Sequence, residues 1–347
     1  MVEKIKKRGW KSVVTVITLI ALFGLTYFLR DQIYETYTNI QRVYYWVLFL
    51  IIPWEILNYY AQTNLFLGLF TAIKTRLVRY KFMFRVCLEL NFVNTVFPSG
   101  GVSGISYLSV RLKSKGISTA QSTLASLMKQ LIIFISFQIL MAFGLLLLAV
   151  DGKASGLLIL ITGSIVTAMA IGTLLFAYII GSKRRINDFL MFFTNILNKT
   201  LSFFTKKKES ISTERAKDVI TELHEQYLKV QNNLHQLKKP LVYGLLANIA
   251  EILVIYTVYI AFGQWVNPGA VIIAYAVANF AGLISVLPGG VGIYEALMTA
   301  VLAAGGIPAS LSLPVTIMYR ILNMAIQLPP GYYFYHQAIN RSPNEPR

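Results

Sequence analysis

Six ionisable side chains fall within or beside long apolar stretches of this sequence: Glu55, Glu89, Lys129, Glu251, Glu295 and Arg320. A charge at bilayer depth is costly unless it is paired or hydrated, so each is a candidate for ligand binding, proton exchange or internal neutralisation. Lys129 and Arg320 have the chemistry to hold a phosphate, and Arg320 can do so through two parallel N–H donors. Glu55, Glu89 and Glu251 could carry a proton or meet a cationic headgroup, or they could only neutralise the two cations. In each half of the chain the order is carboxylate, Pro-Gly segment, cation.

The Pro-Gly segments are two copies of one pattern set 190 residues apart. The first reads Thr95-Val96-Phe97-Pro98-Ser99-Gly100-Gly101 and ends at Gly116-Ile117-Ser118; the second reads Ser285-Val286-Leu287-Pro288-Gly289-Gly290-Val291 and ends at Gly306-Ile307-Pro308. Upstream, Glu55-Ile56-Leu57 echoes Glu251-Ile252-Leu253 if six residues of loop difference are allowed, and Lys129 and Arg320 occupy nearly matching places downstream. Paired Pro/Gly-broken apolar segments in the two halves of a membrane chain point to a transporter-type binding site. Irregular backbone at membrane depth must be buried in protein or line a cavity. Gly100, Gly101, Gly289, Gly290 and Gly292 allow close approach, and a helix restarting after each break aims unpaired N–H groups inward, which suits a phosphate. The alternative is two tight turns packed on each other without a ligand.

These residues need an apolar scaffold, and the composition supplies one. Hydrophobic residues make up 56% of the chain, charged ones 14%, and mean hydropathy is +0.59, far from an ordinary soluble domain. Stretches at 10–29, 43–60, 118–150, 155–180, 241–262, 269–287 and 310–335 span or nearly span a hydrocarbon layer of about 30 Å. The expected fold is an all-α polytopic membrane protein with about six full spans plus two re-entrant Pro-Gly hairpins, or eight spans if these cross. Residues 43–150 form the first repeat, 182–239 a basic amphipathic segment and 240–337 the second repeat, within one membrane domain covering 1–347. The stretch at 10–29 follows Lys4, Lys6, Lys7 and Arg8 and reads as a retained anchor.

Counting positive charge loop by loop puts 27 of the 32 Lys/Arg on one side, three on the other and two within spans. By the positive-inside rule both termini and the 183–239 section are expected in the cytoplasm of a cell-membrane protein. The hairpins then enter from opposite sides, which defines an inverted-topology repeat. The net charge of +17 lies between apolar spans, where anionic headgroups attract it, and does not indicate nucleic acid. The single Cys87 allows no intrachain disulfide, His224, His235 and His336 are scattered, and no nucleotide-binding or hydrolase motif is present. No metal and no cofactor are expected.

The segment Leu287-Pro288-Gly289-Gly290-Val291-Gly292-Ile293-Tyr294-Glu295 is similar to the L-P-G-G-x-G-x-x-E signature of the lysylphosphatidylglycerol synthase transmembrane-region family. Asn94-Thr95-Val96-Phe97-Pro98 resembles its N-x-x-x-P element, and the Arg320 span with Pro329-Pro330-Gly331 fits its C-terminal pattern. The resemblance covers nearly the whole chain. In multiple peptide resistance factor proteins this region is the lipid flippase half, and it moves aminoacylated phosphatidylglycerol between leaflets while a soluble domain performs the lysyl transfer. The resemblance therefore implies a flippase without its transferase domain. Here Ser103-Gly104-Ile105 stands where many members carry Gly-Glu, and Lys129-Gln130 where a cation-acid pair is common.

The expected function is translocation of a polar, phosphate-bearing lipid. Pro98, Gly100, Gly101, Lys129, Pro288, Gly289, Gly290, Gly292, Glu295 and Arg320 would bind it, with Lys129 and Arg320 facing one cleft. Membrane phospholipid is the expected partner; a separate aminoacyltransferase and a second copy of the chain are further candidates. The alternatives are a component of a phosphatidylglycerol lysyltransferase-type enzyme, tied to lipid aminoacylation and cationic peptide resistance, and a small-solute or ion transporter.

Overall fold

The computed structural model describes residues 16, 20, 23–24, 26–27, 29–40, 43–75, 78–97, 102–152, 156–188, 213–282 and 292–340. The Pro-Gly breaks, with Pro98, Gly100, Gly101, Pro288, Gly289 and Gly290, lie outside the described residues, as do most of the 10–29 span and residues 189–212. The described residues are mostly helical and contain no strand. The helices are α1 (Arg30–Ile40), α2 (Ile51–Ala72), α3 (Tyr80–Val96), α4 (Val102–Lys113), α5 (Thr119–Val150), α6 (Gly156–Ile180), α7 (Thr213–Gln231), α8 (Lys238–Ala261), α9 (Pro268–Gly282), α10 (Ile293–Ala304) and α11 (Ala309–Asn340).

Four apolar helical segments, Thr119–Val150, Gly156–Ile180, Leu234–Ala261 and Ala309–Asn340, are long and apolar enough to cross a membrane. At a rise of about 1.5 Å per residue α2 also reaches about 33 Å, and Glu55, Asn58, Gln62 and Asn64 lower its hydropathy. The expected stretch at 43–60 is displaced. Residues Val47–Leu50 form a 3₁₀ turn, because the chain must first hand the Tyr44 N–H to the Ala261 carbonyl at 2.8 Å, and α2 then continues to Ala72. α6 leaves Leu157, Leu160, Ile171, Leu174 and Leu175 exposed, which suits a lipid-facing helix. α9 does the opposite: Ala270 to Ala278 are all buried, as expected of a helix that is apolar all round.

The repeat is written in the helix ends. Ile117 N–H reaches Leu112 O (3.3 Å) and Ile307 N–H reaches Leu302 O (2.9 Å), each after a glycine with positive φ, Gly116 at 78° and Gly306 at 85°. This is the Schellman stop, where a residue in the left-handed region caps the last carbonyls. The ends of α2 and α8 share it as well: Thr75 N–H to Phe70 O and Gln264 N–H to Tyr259 O, both 3.0 Å, after Lys74 (φ 56°) and Gly263 (φ 71°). The set α2–α3–α4–α5 is thus repeated as α8–α9–α10–α11. The stops put the offset at 189 for the leading helices, and the connections between the first two helices, residues 73–79 and 262–267, differ by one residue. The six-residue allowance that aligned Glu55 with Glu251 therefore has no place in the chain. Residue 62 is the structural counterpart of residue 251.

In each half the two helices that flank the Pro-Gly segment in sequence, α3 and α4 in the first and α9 and α10 in the second, pack against each other as a helical hairpin. In the first, Gly104 lies so close to Asn94 that an added Cβ would stand 2.3 Å from its Oδ1, while Glu89 reaches across to Arg111. In the second, a Cβ on Gly305 would meet the Ala270 methyl at 2.8 Å. Both arms of each hairpin therefore begin and end on one side of the molecule. α2 and α8 cross antiparallel, with Gly68 against Pro240, Asn58 bonded to Ala247 O, and Tyr44 bonded to Ala261 O. The closing helix of each half packs against the hairpin of the other: Gly144 of α5 on Gly269 of α9, and Gly331 of α11 on Leu88 and Phe92 of α3. The two-fold relating the halves runs perpendicular to these helices, the arrangement of an inverted-topology repeat. α7 docks beside α5, where Ser118 donates to Glu222 and the His224 ring bonds Ile180 O at 3.1 Å.

Candidate functional site

Where α2 and α8 cross, α5 and α9 close over them and leave a cavity of about 200 Å³ lined by the polar residues Asn58, Gln62, Lys129, Gln130, Asn248 and Glu251, by the apolar Ile133, Phe137 and Ala247, and by Tyr275 and Asn279 from α9. That is room for several waters, or for one phosphate-sized group. Each wall follows from sequence spacing. Asn58 and Gln62 are four residues apart on α2, and Lys129, Ile133 and Phe137 repeat at four on α5, so each set shares a helix face. The close α5–α8 contact exists because Gly244 has no side chain; a Cβ there would be 2.5 Å from Ile132.

Lys129 is held by an amide. Its Nζ donates to Gln62 Oε1 at 3.0 Å and lies 5.1 Å from the Phe66 ring centre. Gln62 donates on to Asn58 Oδ1, and Asn58 donates to Glu251 Oε1 at 2.9 Å. Every amide in this chain passes its N–H toward the carboxylate, so ammonium and carboxylate form an ion pair bridged by two side-chain amides. The network continues into α11. Tyr319 OH and Asn323 Nδ2 both donate to Glu251 Oε2 at 3.1 Å, Gln327 donates to Asn323 Oδ1 and to Glu55 Oε2 (2.8 Å), and Asn91 joins Gln327 to Tyr59. Glu55 is closed off at 2% exposure, while Glu251 opens into the cavity.

The remaining expected residues are distributed differently. Arg320 lies 6% exposed, ion-paired to Glu295 and stacked 4.8 Å from the Tyr294 ring centre. Glu295 in turn accepts the Gly292 N–H at 2.7 Å, satisfying one free donor at the start of α10, and accepts from Gln32 of α1 at 3.1 Å. Gly292 holds φ 86°, which only glycine adopts without strain. Lys129 and Arg320 thus do not share one cleft: the cavity is lined by Lys129 and not by Arg320. Glu89 forms a two-pronged pair with Arg111 at 2.6 and 2.8 Å and accepts from Tyr107 at 2.9 Å, which makes it a clamp on the first hairpin. Among the described residues no group of His, Cys, Asp and Glu has the arrangement of a metal site.

The sequence reading passed over the neutral amides. Asn58, Gln62, Asn91, Asn323 and Gln327 carry the network. The signal was present in the i, i+4 pairs Asn58/Gln62 and Asn323/Gln327 inside apolar helices, where an unpaired amide costs about 1–3 kcal/mol and so implies a partner.

A UPF0104 membrane protein of Methanothermobacter thermautotrophicus is 33% identical over 108 residues, 31% of this chain and 32% of that protein. A UPF0104 membrane protein of Pyrococcus horikoshii is 26% identical over 138 residues, 40% of this chain and 41% of that one. The chain thus aligns with only about a third to two-fifths of the length of these relatives. No solved structure matches significantly. The family described as lysylphosphatidylglycerol synthase TM region matches residues 12–331, which takes in both repeats and every residue of the polar network. This chain, an all-α polytopic membrane protein, belongs to that family.

Proposed function

We propose that the chain moves a polar, phosphate-bearing lipid between membrane leaflets, and that Lys129 receives the phosphate in the cavity at the crossing of the two repeats. The observation that carries this reading is a part-buried ammonium whose hydrogen-bond partner is a neutral amide, in a cavity with room for a phosphate-sized group. A cation placed so can bind an incoming anion without first breaking a carboxylate pair, since a direct ion pair would have to be replaced at full desolvation cost. The cavity admits a headgroup phosphate and leaves acyl chains in the lipid. Orientation follows the charge bias, with both termini and the 183–239 section in the cytoplasm. Membership of the family and the inverted repeat support transport over catalysis.

The test is translocation of fluorescent phosphatidylglycerol and its lysyl ester in proteoliposomes of the purified chain. Loss of one charge-assisted hydrogen bond of about 1.5–3 kcal/mol should slow translocation by Lys129→Gln about tenfold to a hundredfold, with folded yield retained. Wild-type rates in Lys129→Gln, or no translocation by the parent chain, would remove the reading.

A further inference from the structure

The buried charges of the described membrane region do not balance. Arg111 pairs with Glu89 and Arg320 with Glu295, each within ion-pair distance. That leaves Glu55 and Glu251 with Lys129 alone, in one hydrogen-bonded network, and neither carboxylate lies within ion-pair distance of a cation among the described residues. Two carboxylates and one ammonium carry an excess negative charge, which is expensive away from water. The donors are also unevenly shared. Glu251 accepts three hydrogen bonds, as an ionised carboxylate wants. Glu55 accepts one, and its Oε1 is buried without a partner among the described residues. A bare carboxylate oxygen is the place for a proton.

We propose that Glu55 and Glu251 form a proton-binding site, and that a phosphate group entering the Lys129 cavity brings a further proton onto it. Resting, one proton on the pair makes the network neutral. An entering phosphate monoanion restores the negative charge, and a second O–H bond forms on the remaining carboxylate, with the proton drawn from water through the cavity that Glu251 faces. The other titratable groups around the pair are Tyr59 on α2, Lys129 on α5, Tyr275 on α9, Tyr294 on α10 and Tyr319 on α11, with Cys87 of α3 behind Tyr59. The tyrosines and the thiol are neutral when protonated, so the carboxylates are the groups that take the charge change. That the phosphate belongs to a lipid rests on the proposed function; the proton site does not.

The experiment measures pH change in weakly buffered detergent solution on adding dihexanoyl phosphatidylglycerol or inorganic phosphate to the purified chain, with infrared spectra of the same sample. The expected result is about one proton taken up per bound phosphodiester, and a protonated-carboxyl band before ligand is added. Both disappear in the double variant Glu55→Gln/Glu251→Gln, whose amides keep the shape of the protonated acids. Should that variant not fold, the wild-type uptake and band decide alone. Uptake with inorganic phosphate only would keep the proton site and remove the lipid. Translocation of fluorescent lipid with no proton uptake would overturn the coupling and leave the transport reading standing. Uptake undiminished in a folded double variant would overturn the assignment to these two residues.

Discussion

Lys129 and Tyr319 stand 190 residues apart, at the same position of α5 and α11. Each bonds the same position of its own half's leading helix, Lys129 to Gln62 and Tyr319 to Glu251. The contact is made twice and its polarity is reversed: cation on neutral amide in one half, neutral phenol on carboxylate in the other. The repeat has not duplicated a site. It has divided one ion pair across the two-fold and bridged the gap with Gln62 and Asn58. The flanking positions differ in the same way. Ile133 and Phe137 line the cavity, whereas Asn323 and Gln327 at the matching positions of α11 hydrogen-bond to Glu251 and Glu55.

Arg320 shows how much one residue matters. It follows the counterpart of Lys129 by a single step, which is about 100° around a helix, and so faces Glu295 and the second hairpin instead of the cavity. The largest effect is therefore expected from Arg320→Ala. Removing one partner of a buried pair strands the other at a cost of about 3–5 kcal/mol, so folded yield by size-exclusion fluorescence should collapse. Arg320→Met with Glu295→Leu should recover most of it. Stable Arg320→Ala protein lacking only transport would return Arg320 to the ligand site and erase the contrast with Lys129.

Next in size are the glycine contacts that lock each closing helix to the opposite hairpin. A Cβ on Gly331 would lie 2.8 Å from the Leu88 carbonyl oxygen, which is backbone and cannot yield cheaply. Gly331→Ala should cost about 1–3 kcal/mol and lower the thermal midpoint. An unchanged midpoint would deny that this packing joins the halves.

A smaller effect is expected from moving the carboxylate across the axis. Gln62→Glu with Glu251→Gln conserves net charge but gives Lys129 a direct ionic partner, so phosphate binding in the cavity should weaken about tenfold, or about 1.4 kcal/mol, with folding intact. Unaltered binding would show that the division of the ion pair has no bearing on the ligand. The smallest change belongs to the surface. The Lys183–Glu225 pair is 3.5 Å long and half exposed, and Glu225→Ala should shift stability by no more than about 1 kcal/mol.

Much of this was legible in the chain. Apolar runs of membrane length, the paired Pro-Gly segments and the shared Gly-Ile stop depend on local rules, in which hydropathy chooses the solvent and a glycine with positive φ ends a helix. Those rules give an all-α membrane protein with two repeats, and the structure has both. The ionisable residues were legible as a set too, since a charge in an apolar run is conspicuous. Their partnerships were not. Antiparallel packing of α2 on α8 set Asn58 against Glu251, 193 residues away, and a one-residue phase on α11 sent Arg320 to Glu295. Whether a buried charge is locked, bridged or left facing a cavity depends on which faces meet across the two-fold. That is decided by helix rotation and by the glycines that permit close approach, and only the assembled tertiary structure sets it.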